Sequence, residues 1–333
     1  MQMHGVRSLP LRIQAMTDVQ SAETVAVASE TLPPPAKTRV HAPGAVGVHI
    51  SGVGCRATAS ISPDRVWIGS LMPGDVEPVV ESIISAVLTV EPHPRFVVVG
   101  TPGHVNGDLG TVTAAANLGQ GWRGTVELAE LLRSRLGCEV ELCNDAEAAL
   151  EGERRRGALV ACNDGALVTL SQGVGVALLH DGIQQPTELG HSVSQYGGPE
   201  CRGRPHRGCY ESYLGGWALP IRYRERHPGF HGVLASEIPD DHEFWTECGR
   251  RLGDLIVGLC LLGQPLEAIS FIGSVAQARH GYLLPGVRAR LNEEEALLAT
   301  RPRSLRVTPL GDDVSVLGAF LMARDRLHPF LAA

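Results

Sequence analysis

A set of side chains able to do chemistry falls between residues 144 and 211: Asn144, Asp145, Glu188, His191, Cys201, His206, Cys209 and Glu211. Asp145 opens a helical pattern just after an apolar strand run. That places it at the carboxyl end of a sheet, where α/β folds bind ligands. There it suits a general base that takes a proton from a substrate hydroxyl, or an N-cap, the commoner role of Asn and Asp at a helix start. Glu188 and His191 stand three residues apart. On a turn-like segment both would face one ligand, and with Glu211 they offer acceptors to a ring of sugar hydroxyls. Taken singly, they would read as surface charge. His191, Cys201, His206 and Cys209 place four N/S donors within nineteen residues, the ligand number of a tetrahedral zinc site. The spacing is wider than a CxxC knuckle, so free thiols beside scattered histidines are the competing account. Two glycine turns, Gly52-Val53-Gly54 and Ser171-Gln172-Gly173-Val174-Gly175, would let backbone N–H groups approach a phosphate. Such turns also join strands of every kind.

The elements that must position these residues follow from periodicity. Runs at 45–51, 55–62 and 65–69 read as a β-meander, and 76–90 as a helix with apolar spacing. A buried-strand run at 96–99 ends in Gly100-Thr101-Pro102-Gly103. A helix at 125–136 stopped by Gly137, a strand at 139–143 and a helix at 146–156 complete the first half. The pattern then restarts, with strands at 166–171 and 174–180 and helices at about 211–219 and 242–262. A strand at 268–272, a helix at 275–291, a strand at 305–309 and a helix at 314–327 close it. A meander leading into alternating β and α, met twice, indicates two α/β lobes with a cleft between them. The expected division is an N-terminal extension over 1–43, rich in Ser, Thr and Ala with a Pro33-Pro34-Pro35 run, then lobes at 44–160 and 161–333. The second lobe carries the Cys/His loop 191–209.

Composition sets the surroundings. The chain has 333 residues, 44% hydrophobic and 20% charged, as in a globular protein. A formal charge of −7 offers no basic footprint for nucleic acid or anionic lipid. No apolar run nears the roughly 20 residues needed to span a bilayer, and no secretion signal is evident. Eight scattered cysteines suit reduced thiols plus one metal cluster better than a disulfide framework. A cytoplasmic location is expected.

In this order the motifs resemble those of the ROK family (repressor, open reading frame, kinase), which includes bacterial glucokinases, N-acetylmannosamine kinases and sugar-responsive repressors. The resemblance covers residues 44–327. Thr101-Pro102-Gly103-His104-Val105, then Asn117-Leu118 and Trp122, is similar to the family's sugar-side segment. Asn144-Asp145-Ala146-Glu147-Ala148-Ala149 resembles Asn-Asp-Ala-Asn-Ala-Ala. Glu188-Leu189-Gly190-His191 matches Glu-x-Gly-His, Gly208-Cys209-Tyr210-Glu211 matches Gly-Cys-x-Glu, and Phe271-Ile272-Gly273-Ser274 is similar to the segment near the adenosine. The resemblance implies a two-lobed, actin-like, ribonuclease H-like fold and an ATP-dependent sugar kinase, with magnesium accompanying ATP and a structural zinc. It implies Asp145 as catalytic base and Gly103, Asn117, Asn144, Glu188, His191 and Glu211 as sugar contacts. Gly52, Gly54, Gly173, Gly175 and Gly273 would lie at the nucleotide, and His191, Cys201, His206 and Cys209 at zinc. Family members are often dimers or tetramers.

The departures fall on the nucleotide and zinc sides. Where the family has Asp-x-Gly-Gly-Thr, with its magnesium-associated Asp, this chain has His49-Ile50-Ser51-Gly52-Val53. Ser171-Gln172-Gly173 replaces Gly-Thr-Gly, and the zinc loop has lost its middle Cys and is one residue longer, with His206 as the substitute donor. Losing one preorganised donor costs about a hundred- to thousandfold in rate. Two function classes are therefore compatible with the motifs: a kinase acting on the primary hydroxyl of a hexose, amino sugar or sugar-like cyclitol, and a pseudokinase-like sugar sensor. A DNA-binding repressor would need a helix-turn-helix that 1–43 does not suggest.

Overall fold

The computed structural model describes residues 42–328 apart from 53, 63–64, 72–73 and 299. The extension expected over 1–43 thus lies, except for Ala42 and Pro43, outside the described residues. Ala42 itself is buried, in the cluster that also holds Ala45 and Phe320.

In chain order the elements are β1 (Ala45–Ser51), β2 (Gly54–Thr58), β3 (Trp67–Ser70), α1 (Val76–Val90), β4 (Phe96–Thr101), β5 (His104–Asn106), β6 (Thr111–Thr113) and β7 (Thr125–Val126). Then come α2 (Leu128–Leu136), β8 (Glu139–Asn144), α3 (Asp145–Arg156), β9 (Gly165–Leu170), β10 (Val174–His180) and β11 (Ile183–Thr187). The chain continues through α4 (Glu211–Leu214), α5 (Leu219–Arg226), α6 (His242–Cys260), β12 (Ala268–Ile272), α7 (Ser274–Glu293), β13 (Ser304–Val307) and α8 (Val314–Leu327).

The two main sheets repeat one plan. Their orders are β3-β2-β1-β4-β8 and β11-β10-β9-β12-β13. In each, three antiparallel strands come first and two parallel strands are then added beside the first of them. The central strands need cover on both faces, and their sequences supply it: β4 is Phe-Val-Val-Val-Gly-Thr and β12 is Ala-Ile-Ser-Phe-Ile, buried almost throughout. β3, at an edge, alternates between half-buried and exposed. α1 closes one face of the first sheet with Val79, Val80, Ile83, Ala86 and Val87. α6 and α7 cover the second. Among the described residues, no helix is long and apolar enough to cross a membrane.

Helices α3 and α8 form the seam between the sheets. Ala148 on α3 joins Ala319, Phe320 and Ala323 of α8 and Val98 of β4 in one cluster. Ala149 and Leu150, on another side of α3, pack with Leu167, Ala177 and Ile272 of the second sheet. The α3–α8 approach is close because both helices carry glycine there. A Cβ at Gly318 would stand 1.7 Å from the Ala148 carbonyl oxygen, and one at Gly152 2.4 Å from that of Val314. α8 also covers Gly47 of β1, where a Cβ would lie 2.2 Å from the Phe320 nitrogen. The division at 160 expected from the chain order is therefore not a division of the packing, since the first sheet takes a covering helix from residues 314–327.

Other differences have local causes. The helix expected at 211–219 is broken after Leu214 by Gly215 and Gly216. Added Cβ atoms there would meet the Gln172 oxygen at 3.0 Å and the Ser171 oxygen at 2.6 Å, so the backbone turns to pass the β9–β10 hairpin. The small sheet β5-β6-β7 comprises strands of two or three residues, too short to show alternation. β11 was likewise not expected, its Gln184-Gln185-Pro186 centre being poor in strand-forming residues.

Candidate active site between the lobes

α3 begins where β8 ends, and its first turn settles which residue caps it. The Asn144 side-chain oxygen accepts from the Ala146 N–H at 2.9 Å, and Glu147 reaches back to the Asn144 N–H at 2.9 Å, completing a capping box. Asp145 is left as the first helical residue. It shares the Ala146 N–H through Oδ1 at 2.9 Å. Burial pushes the Asp145 carboxyl up to about 6, with the charges of Glu188 and Glu147 adding to the rise against the opposing backbone N–H donors. The Asn144 amide donates to the Gly103 carbonyl at 3.1 Å. Gly103 adopts φ +98°, and Ala115 stands 2.8 Å from where its Cβ would be, so glycine is required at that turn.

The second lobe supplies the opposite wall. Leu189–His191 is a single 3₁₀ turn after β11, and it brings His191 beside the start of α4. His191 Nε2 is 3.9 Å from Glu211 Oε2. That oxygen accepts from the Val174 N–H at 3.2 Å and lies 2.5 Å from where a Gly173 Cβ would be. Glycine at 173 therefore makes room for the Glu211 carboxylate. Glu188 is 54% exposed at its side chain, paired with Arg204 at 2.7 Å and 3.6 Å from His104 Nδ1 on β5 of the first lobe. Gly175 reaches the first lobe directly, with the Ala146 Cβ 3.9 Å from its own Cβ position.

His191 also faces the thiols. Its Nδ1 lies 3.5 Å from Cys201 Sγ and 4.0 Å from Cys209 Sγ. One donor atom each from His191, Cys201, His206 and Cys209 falls within 4.8 Å of the others. A tetrahedral ion with metal–sulfur bonds of about 2.3 Å and metal–nitrogen bonds of about 2.1 Å needs ligand separations near these. His206 Nε2 is buried without a hydrogen-bond partner, an orphan that a metal would satisfy. The Cys201 thiol holds Cys209 low, and the His191 ring and the Ser212 N–H at 3.4 Å help against burial. A thiolate is the form a metal binds. The four residues fit zinc.

On the donor side Gly52, Gly54 and Gly273 have packing roles. A Cβ at Gly52 would stand 2.6 Å from the carbonyl oxygen of Asn117, which is itself exposed. One at Gly54 would be 3.1 Å from the Gly69 oxygen. Gly273, at φ +94°, caps α7 against the Leu170 oxygen. His49 pairs in register with Arg56 across β1 and β2. Burial, then the Arg56 charge, push its imidazole down to about 4, so it is neutral at pH 7. Arg56 binds Asp313 at 2.6 Å and stands 3.6 Å from Asp312. Asp312 accepts from Gln277 of α7 at 3.1 Å, tying the lobes together at this end. A neutral histidine opposite an arginine does not fit a magnesium ligand.

Sequence reasoning singled out neither Arg204, His104 nor Arg56. The partner of Arg204, Glu188, lies in another segment of the chain.

The model of the ROK family matches residues 73–326. A glucokinase of Thermotoga maritima is 30% identical over 189 residues, 54% of this chain and 58% of that protein. A glucokinase of Streptomyces coelicolor is 32% identical over 225 residues, 64% of this chain and 67% of that protein. Among solved structures, the ROK family glucokinase of Streptomyces griseus in complex with glucose and AMPPNP has a TM-score of 0.73 at 24% identity, covering 84% of this chain and 99% of that one. The ROK hexokinase of Thermus thermophilus has 0.68 at 23%, covering 85% and 98%. The fold is that of the actin-like ATPases, as these neighbours share.

Proposed function

Because the chain belongs to the ROK family, we propose that it is a carbohydrate kinase. It would move the γ-phosphoryl group of ATP to the primary hydroxyl of a hexose, amino sugar or sugar-like cyclitol. One observation carries the reading: Asn144 and Glu147 form the capping box of α3, so Asp145 is not required as its N-cap, and burial raises its carboxyl to about 6. A base of that strength is ionised at neutral pH yet basic enough to accept a hydroxyl proton during transfer. Asp145 takes the proton, the freed oxygen attacks the γ-phosphorus, and the bond to ADP breaks. Glu188, His191 and Glu211 orient the ring from one lobe, and Asn144, Asn117 and the Gly103 turn from the other. Gly52 and Gly54, the turn at 173–175 and the α7 start at Gly273 would present backbone N–H groups to the phosphates. No step is assigned to magnesium.

His191, Cys201, His206 and Cys209 would hold a zinc ion. With these four residues holding the metal, the 191–209 loop would be cross-linked and His191, bound through Nδ1, would keep Nε2 free for the ring. Elemental analysis of the purified protein should give about one zinc per chain, and a value near zero removes the metal. The chain should also self-associate as a dimer or tetramer, to be checked by sedimentation.

Product formation across a panel of hexoses tests the chemistry. Asp145→Asn should lower turnover by about a hundredfold or more; unchanged turnover would sink the base assignment. The His49–Arg56–Asp313 arrangement favours a second reading, a sugar-binding sensor in which lobe closure is the output. Calorimetry with ATP separates the two. Binding in the micromolar to millimolar range supports the kinase, and no detectable binding leaves the sensor.

A further inference from the structure

Arg204 occupies a position that neither the motifs nor the capping geometry explains. The residue before it is glycine for a steric reason. A Cβ at Gly203 would stand 3.2 Å from Glu211 Oε1 and 3.3 Å from the His191 ring. The backbone at 203 thus passes directly over two of the ring-holding side chains, and residue 204 projects beside them to the third. Its guanidinium lies 2.7 Å from Glu188 Oε1. The loop holds it there, since the Cys201 N–H donates to the His206 carbonyl at 3.0 Å and the His206 N–H to the Arg204 carbonyl at 2.8 Å. His104 approaches the same Glu188 oxygen at 3.6 Å from the opposite lobe.

With side chains 33% and 54% exposed, the Arg204–Glu188 pair contributes little to stability. What it presents to the cleft is specific. A carboxylate only accepts and a guanidinium only donates. Arg204 engages Oε1, so Glu188 still offers Oε2, and Arg204 keeps further N–H donors. An acceptor and a donor side by side complement a group that both donates and accepts, which is a hydroxyl. An ammonium has donors only and a charge that Arg204 repels, and a deoxy position leaves both partners unmatched.

We propose that Arg204 is a specificity-determining residue, forming with Glu188 a two-sided clamp on one ring hydroxyl. The clamp narrows the substrate to a neutral polyhydroxylated ring and disfavours a free amine at that position. This rests on the sugar-kinase reading above. The test is calorimetric binding of the full-length protein to D-glucose, D-mannose and myo-inositol, then to monodeoxy and monoamino analogues of the best-bound parent. Arg204→Met and Arg204→Lys are measured alongside, with metal content and melting temperature as checks on the loop. One ring position should show both analogues binding about tenfold or more weakly. In Arg204→Met the amino penalty at that position should largely vanish while penalties elsewhere persist, and Arg204→Lys should retain it. An Arg204→Met profile parallel to the wild type, or no position where both analogues lose affinity, overturns the clamp and leaves the pocket standing. Binding to none of the parents removes the sugar pocket and the clamp with it.

Discussion

The Ala146 N–H is shared by the side-chain oxygens of Asn144 and Asp145, and the Glu147 carboxylate closes the cap from the other side. Adjacent Asn and Asp thus divide two roles that either residue alone would leave open, and no spacing rule distinguishes them. The cost of the arrangement is measurable. The folded-state value of about 6 at Asp145 lies above the ordinary 3.8. Its charge therefore opposes folding fully above pH 6 and not at all below about pH 4. Asp145→Asn should raise the unfolding free energy by about 3 kcal/mol at pH 8. The gain should shrink as pH falls through 6, read by urea titration at several pH values. The wild-type kcat/KM should lose activity on the acidic side near the same value. Glu188, His191, Cys201, His206, Cys209 and Glu211 were nameable from their types and spacing. Arg204 was not, because its meaning comes from Glu188, which a different stretch of backbone delivers.

At the scale of elements, helices and strands with long apolar patterns were legible: α1, α6, β4, β9 and β12 lie close to where periodicity places them. The three-residue strands of the small sheet and the break between α4 and α5 were not, since two or three residues carry no period and the break is forced by a neighbouring hairpin. The α3–α8 crossing depends on the same kind of non-local demand. Gly318 has the Ala148 carbonyl 1.7 Å from its Cβ position, and a backbone carbonyl inside a helix cannot step aside. Gly318→Ala should cost about 3 kcal/mol in denaturant unfolding. It should also weaken sugar binding, because α3 carries Asp145 at its first position. Gly258→Ala, on α6 with open space at its Cβ, is the control and should be neutral or slightly stabilising.

For the whole molecule, the repeated plan of the sheets was legible as two meanders each followed by alternating β and α. The partnership across them was not. Nothing in the apolar pattern of 314–327 says which sheet it will cover. A fragment of residues 42–160 would leave the surface around Gly47 and Ala148 open and should show no cooperative unfolding transition by circular dichroism. Joining residues 311–328 to it through a flexible linker should restore one.

The return of α8 to β1 also sets an order of events during synthesis. The strands of the first sheet leave the ribosome early, yet their covering helix emerges only after every strand of the second sheet has been made. Until then the apolar groove over Gly47 is exposed, and pairing of such distant segments is slow. The seam that holds α3, and so Asp145 at its first position, is completed only with α8. A growing chain accordingly lacks the completed α3–α8 seam until residues 314–327 have emerged.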